Sequence, residues 1–252
     1  MRNSPSIVLF VSLLAVAGAT VKGALTPVSP VQAAQSASVT PLVIPARRSM
    51  PPSPSLPALP AAAEGVRSLT LETVVRRQIG TRVETIRQTI SRTADRIHVR
   101  SRDGCEWLFE RNLRDHRRAF GTLIDHRTQA IVFHDESDLR NILGLRGWAQ
   151  ALALGFDPEL LDGLERSDRA MAVGALRVVG YTSRRKDVAL SEVWWNEGEF
   201  LATGFTSSTA GVSVTFSVER IRRGVNGSLL RAPAERFPTY RTLDLADWLE
   251  RH

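Results

Sequence analysis

The chain has 252 residues, 43% hydrophobic and 23% charged, with a formal net charge of +7; that composition is ordinary for a globular protein and excludes disordered, collagen-like and multi-span membrane classes. Nine of the 13 prolines fall between Pro27 and Pro60, so fewer residues are available for folding than the length suggests. With Cys105 as the single cysteine, an intrachain disulfide is excluded, and with it a small secreted domain held by bridges.

Residues 1–33 read as an export signal. Arg2 supplies the charged start, Ile7 to Ala19 the apolar run, and Ala17-Gly18-Ala19 or Val31-Gln32-Ala33 the small-residue cleavage site. The apolar run falls short of the ~20 residues a membrane-crossing helix needs, so a cleaved signal and a periplasmic location fit better than an inner-membrane anchor. No cysteine lies near either cleavage site to carry a lipid. Residues 34–64 are rich in Pro, Ala and Ser and carry no acidic residue before Glu64, a composition that prefers extended conformations and reads as a linker.

One β-rich domain is expected over 65–252. Leu69 to Ile79, Arg82 to Ile90, Arg96 to Arg100, Cys105 to Glu110, Arg118 to Asp125 and Ala130 to His134 are short, rich in β-branched and aromatic residues, and separated by turn residues such as Gly80-Thr81. They predict a six-strand antiparallel meander, because the spacings leave no room for crossover helices. Asp135-Glu136-Ser137-Asp138 then supplies an N-cap and an acidic first turn, opening a helical insert over 135–164. Leu139, Ile142 and Leu143 form its first apolar stripe and Leu145, Trp148, Ala149 and Leu152 its second, with a short third helix after Asp157. Strands resume at Met171 to Tyr181, Val188 to Trp195, Phe200 to Thr206 and Val212 to Ile221. Asn226-Gly227 signals a tight turn, and Leu245, Trp248 and Leu249 a closing helix. The first meander carries apolar residues on both faces, since Trp107 and Phe109 oppose Leu108, so each face needs a cover. The expected fold is mainly β (α+β): a curved antiparallel half-barrel of ten or eleven strands with a central helical insert and a short C-terminal helix.

No catalytic motif of the hydrolase, metalloprotease or phosphate-loop kind is present, so no catalytic residue, metal or cofactor is assigned. Ser183-Arg184-Arg185-Lys186 matches S-x-x-K but lies between strands, where a surface turn explains it. His98, His126 and His134 sit on different strands, and alternation places His98 opposite Ile97 and Val99 on a wet face. Cys105 reads as a buried small hydrophobe. Charge is unevenly spread: twelve arginines face six acidic residues between Arg76 and Arg118, whereas eight acidic residues face four arginines between Asp135 and Arg169. Arginine forks of that first segment, Arg76, Arg77, Arg117 and Arg118 among them, suit an acidic envelope protein or an anionic surface. Export argues against nucleic acid.

The signal segment, the strand count and the apolar helices Leu139 to Leu143 and Leu145 to Leu154 between two meanders resemble the fold of the outer-membrane lipoprotein carrier family and the related periplasmic envelope-stress sensors. The chain differs in running from its Pro-rich linker directly into strand residues at Leu69. The resemblance implies a half-barrel holding a lipid, acyl chain or lipoprotein. The expectation is therefore a non-enzymatic periplasmic binding protein or chaperone with an apolar cleft. Trp107, Phe109 and Trp195 would line it from the sheet, and Leu143, Trp148 and Leu152 would form its lid. The alternative is an interaction or sensor module docking an acidic partner through the arginines.

Overall fold

Alternation of β-branched and aromatic residues with polar ones lets each strand bury one side, and that alternation sets the sheet. The computed structural model describes residues 66–101, 104–183, 189–209 and 211–250. The signal segment, the linker and Lys186 lie outside the described residues. The first meander comprises β1 (Leu69–Ile79), β2 (Arg82–Arg92), β3 (Arg96–Ser101), β4 (Cys105–Arg111), β5 (Ala119–Asp125) and β6 (Ala130–His134). The insert follows, with α1 (Glu136–Leu143), α2 (Trp148–Leu152) and a 3-10 turn at Pro158–Gly163. The second meander is β7 (Glu165–Val173), β8 (Leu176–Thr182), β9 (Leu190–Asn196), β10 (Leu201–Thr209) and β11 (Val212–Arg223). A tail closes the chain: a 3-10 turn at Gly227–Leu230, α3 (Pro233–Arg236), β12 (Arg241–Leu243) and α4 (Leu245–Leu249).

All twelve strands form one curved, unclosed sheet in the order β12-β6-β5-β4-β3-β2-β1-β11-β10-β9-β8-β7. The two meanders join where β1 pairs antiparallel with β11, from Leu69 opposite Arg223 to Ile79 opposite Val212. Every pairing is antiparallel except β12 on β6, whose three residues cover what would otherwise be the bare edge of β6.

The insert fills the inner face. Asp135 caps α1 by accepting from Asp138 N, with Asp138 answering to the Asp135 amide, and Gly144 ends the helix at φ 66°. Leu139 and Leu143 of α1 and Trp148 and Leu152 of α2 are fully buried against the sheet, each worth about 1.5–3 kcal/mol of transfer energy. Gly147 lets α2 begin close against the β4–β5 loop: Trp148 N donates to Arg117 O at 2.8 Å, and a Cβ on Gly147 would sit 2.6 Å from that same oxygen. The tail covers the outer face of β3 to β5 and then turns the sheet edge, so that Trp248 of α4 enters the inner core.

Four expectations need correction. Met171 to Tyr181 is not one strand but the end of β7 and the start of β8, joined through Gly174 at φ 58°; β7 was missed because it is largely exposed and too polar to show an alternation. The third helix of the insert is a 3-10 turn, with Asp157 accepting from Glu159 N and Pro158 at its first position. Asn226-Gly227 makes no hairpin: Asn226, at φ −74°, accepts from Ser228 N and caps the turn 227–230. Leu249 points to solvent while Trp248 is buried.

One buried cation ties the three parts together. Arg92, at the end of β2, donates to Leu152 O at 2.6 Å, to Phe200 O at 3.3 Å and to Glu199 O, with the Glu199 carboxylate 4.0 Å away. Burial lowers its pKa to about 10 against the opposing pull of Glu199, so it stays charged at neutral pH. Arg92→Met is therefore expected to cost about 3–5 kcal/mol in urea denaturation, since it leaves three carbonyls without their donor and the buried Glu199 charge with Arg67 as its remaining partner. Adding Glu199→Gln should restore part of that loss, and a double-mutant cycle measures it.

Candidate functional site

The six residues expected to line an apolar cleft come together. Trp107, Phe109, Leu143, Trp148, Leu152 and Trp195 belong to one buried core, none more than 4% exposed. Trp107 stacks on Phe109 with ring centroids 5.5 Å apart, and Trp195 meets Phe156 at 5.9 Å and Phe200 at 5.1 Å. Between insert and sheet, where Ile97 and Phe109 face Leu145 and Ala151, the space left is about 10 Å³, no more than one water needs. The insert thus occupies the hollow of the half-barrel itself.

The arginines are not brought together. Arg76 and Arg77 sit near the end of β1 and point to opposite faces, whereas Arg117 and Arg118 sit in the β4–β5 loop just before β5, four strands away and at the other end of the antiparallel sheet. At ~4.8 Å per strand that is roughly 19 Å across the sheet alone. Arg118 is engaged by Asp115 at 3.0 Å and Glu136 at 3.2 Å.

The densest polar cluster lies on the outer face, and its centre is Glu106. This side chain shares its face with Leu108, opposite Trp107, and is only 4% exposed. His98 Nε2 lies 2.8 Å and Arg236 Nη2 2.7 Å from Oε2, while His126 Nε2 lies 3.2 Å and Arg100 Nε 3.6 Å from Oε1. Burial alone would push this carboxyl up, but hydrogen bonds and charges from His98 and Arg236 outweigh it and hold it well below the usual carboxylate range. An ionised carboxylate only accepts, so both imidazoles present Nε2–H to it, and His126 Nδ1 shares a hydrogen bond with the Tyr240 hydroxyl at 2.9 Å. Phe237 stacks on Tyr240 at 4.9 Å and carries the Arg236 guanidinium on its face at 4.8 Å. The cluster is what fastens the tail to the sheet. His98 is accordingly buried, contrary to the wet face expected, because the tail covers the side that alternation leaves open. Sequence reading missed Glu106, Arg236 and Tyr240; the one local signal was an acid inside the apolar run Cys105 to Phe109.

His134 lies on the opposite face, tilted against Trp107 at 5.0 Å, and neither ring nitrogen has a hydrogen-bond partner among the described residues. Burial lowers its pKa from 6.5 to about 4 against the pull of Asp138 and Asp135, so it is neutral in the folded protein. Two of the three histidines therefore converge and the third does not. Beside the Glu106 cluster the outer face opens into a polar cleft of about 530 Å³, bounded by Glu72, Arg87, Thr89, Arg100, His126 and Glu219.

No family model matches the sequence, and no curated protein matches it. Among the solved structures that align with the chain are proteins of the kind that the sequence resembles. The complex of MucA and MucB from Pseudomonas aeruginosa aligns over 69% of this chain and 59% of that one, at 14% identity and a TM-score of 0.41. A LolA superfamily protein from Nitrosomonas europaea aligns over 68% and 95%, at 10% identity and 0.33. A putative outer membrane lipoprotein-sorting protein domain from Vibrio parahaemolyticus aligns over 68% and 94%, at 11% identity and 0.30. The likeness is one of fold. At these scores it reaches no further than the half-barrel.

Glu106→Gln should cost about 3 kcal/mol by removing the one charge that answers two arginines and two imidazoles, and hydrogen exchange should show the loss as faster opening of residues 226–243. His134 has a separate signature. Its folded pKa is below its unfolded one, so the unfolded state takes up protons first and stability falls as pH drops from 6.5 toward 4. Urea denaturation should show a loss on the order of 2 kcal/mol between pH 6.5 and 5 that His134→Leu abolishes.

Proposed function

We propose that this chain is an exported, non-enzymatic binding protein whose half-barrel receives an apolar chain, a lipid acyl group or the lipid of a lipoprotein, in the space its own insert occupies. The observation that supports it is the inner face. A curved sheet presents Trp107, Phe109 and Trp195 inward, and what covers them is three short helical pieces rather than a second sheet. Those pieces are seated by few directional contacts to the sheet and its loops: Arg92 to Leu152 O, Trp148 N to Arg117 O, Trp148 Nε1 to Ala94 O at 3.0 Å and the exposed ion pair of Arg118 with Glu136 at 3.2 Å. Swinging the insert away would expose a trough already lined with apolar side chains, at a cost an acyl chain offsets by burying its own surface at about 0.8 kcal/mol per CH₂. Docking of an acidic envelope protein through Arg76, Arg77, Arg117 and Arg118 would instead need two separate contacts at opposite ends of the sheet. Among the described residues no helix is long and apolar enough to cross a membrane.

Two measurements test the acyl reading. Native mass spectrometry of the full chain, purified from its own envelope without detergent, should find bound lipid. Stopped-flow uptake of a fluorescent long-chain fatty acid should level off with probe concentration, because opening of the insert limits it. Gly147→Ala pushes a Cβ onto Arg117 O, loosening the seat of α2 without touching the trough, and should speed uptake roughly tenfold. Apo protein alone from the envelope, with no uptake by wild type or by Gly147→Ala, would sink the proposal.

A further inference from the structure

The polar cleft lies on the outer face, on the side of the sheet away from the apolar core, and its lining is rich in charged side chains. It arises from a mismatch in strand length. β2 pairs with β3 only as far as Gln88 opposite Ser101, while the rest of β2 continues along β1 to Arg82, so the sheet splays open beside the β3–β4 turn. The opening holds about 530 Å³, within the range of small-molecule sites, where the inner face leaves about 10 Å³.

Across its floor run Glu72, Thr89, Arg100 and Glu106, each directly opposite the next on adjacent strands. The acids of the cleft already have cations. Glu219 holds Arg87 at 2.6 Å, Glu72 holds Arg222 at 3.0 Å, and Glu106 is held by His98 and Arg236. Arg100 is in the opposite condition. Among the described residues its side chain makes one ion pair, Nε to Glu106 at 3.6 Å; it is 66% exposed, and its two terminal nitrogens have no partner there. The Thr89 hydroxyl beside it has none either. A guanidinium anchored through Nε presents those two terminal nitrogens as a fork, the geometry that takes two oxygens of one carboxylate or phosphate. Carboxylate oxygens of Glu72 and Glu219 at the rim accept from hydroxyl groups. Apart from the His126 imidazole no aromatic ring lines the cleft, so a flat base or indole finds nothing to stack on.

We propose that this cleft binds a small hydroxylated anion, a phosphate ester or a hydroxy acid, with its anionic group on Arg100 and Thr89 and its hydroxyls on Glu72 and Glu219. Isothermal titration of the full chain with glycerol 3-phosphate, glycerate and inorganic phosphate tests it. At least one of the two hydroxylated probes should bind with a Kd of about 1 mM or tighter, and more tightly than inorganic phosphate. Which of the two binds assigns the anion as phosphate ester or carboxylate. Arg100→Gln, at an exposed position and with Glu106 still held by His98 and Arg236, should weaken binding at least tenfold, and Thr89→Val roughly threefold. Arg114→Gln, an exposed arginine of the β4–β5 loop, should change nothing. Absence of saturable binding by both hydroxylated probes, binding that Arg100→Gln leaves intact, or phosphate binding as tight as glycerol 3-phosphate would each overturn the proposal.

Discussion

Arg92 is the constraint on which the rest of the structure depends. A buried guanidinium is stable only if most of its donors are met, and here the two terminal nitrogens are met by carbonyls from two different parts of the chain, Leu152 in the insert and Glu199 and Phe200 in the β9–β10 turn, while Nε has no partner among the described residues. Close to those acceptors, Leu154 and Phe200 hold positive φ values of 60° and 49°, which side chains other than glycine rarely adopt. Backbone strain of that kind persists when surrounding contacts over-determine it, and the Arg92 donors supply such contacts. One side chain of the first meander thus sets the depth of the insert and the position of the second meander at once.

The outer face is organised by the same logic with opposite sign. Glu106 is a buried anion met by two arginines and two histidines, and three of the four, His98 and Arg100 of β3 and His126 of the β5–β6 turn, come from the first meander while Arg236 comes from the tail. Since each face of the sheet is covered by a different piece of the chain, the two covers are fastened independently. The insert is held mainly by apolar burial and a few directed hydrogen bonds, the tail by an ion cluster and stacked rings. The inner cover buries apolar side chains, whereas the ionic clamp on the outer face engages Arg100 only through Nε and leaves its terminal nitrogens facing the open cleft. The functional readings of the two faces follow from that difference.

Legibility in the sequence was high wherever a local pattern has a local cause. Turn residues at Gly80-Thr81, the cap at Asp135 and the alternation of β11 each act within a few residues, and the first meander, the insert and the closing helix fall where those signals place them. β7 escaped because an exposed edge strand buries neither face and so carries no period-two signal. Asn226-Gly227 misled because the same dipeptide serves a hairpin or, with Asn226 at negative φ, a cap. His98 was placed in water because alternation assigns residues to faces and says nothing of what lies on each face.

The sequence by itself determined the strands, the insert and the presence of apolar residues on both sides of the first meander, since each is written in contacts between residues close along the chain. Only the tertiary structure decided which piece of chain covers which face, that Arg76 and Arg117 lie at opposite ends of the sheet, and that Glu106 meets Arg236. Those outcomes join residues more than a hundred positions apart, or rest on the curvature of the whole sheet, and no spacing along the chain encodes them. The net charge shows the same division: the arginine excess of the first meander is visible in the sequence, but which of those arginines remains unpaired is settled by carboxylates that folding brings from elsewhere.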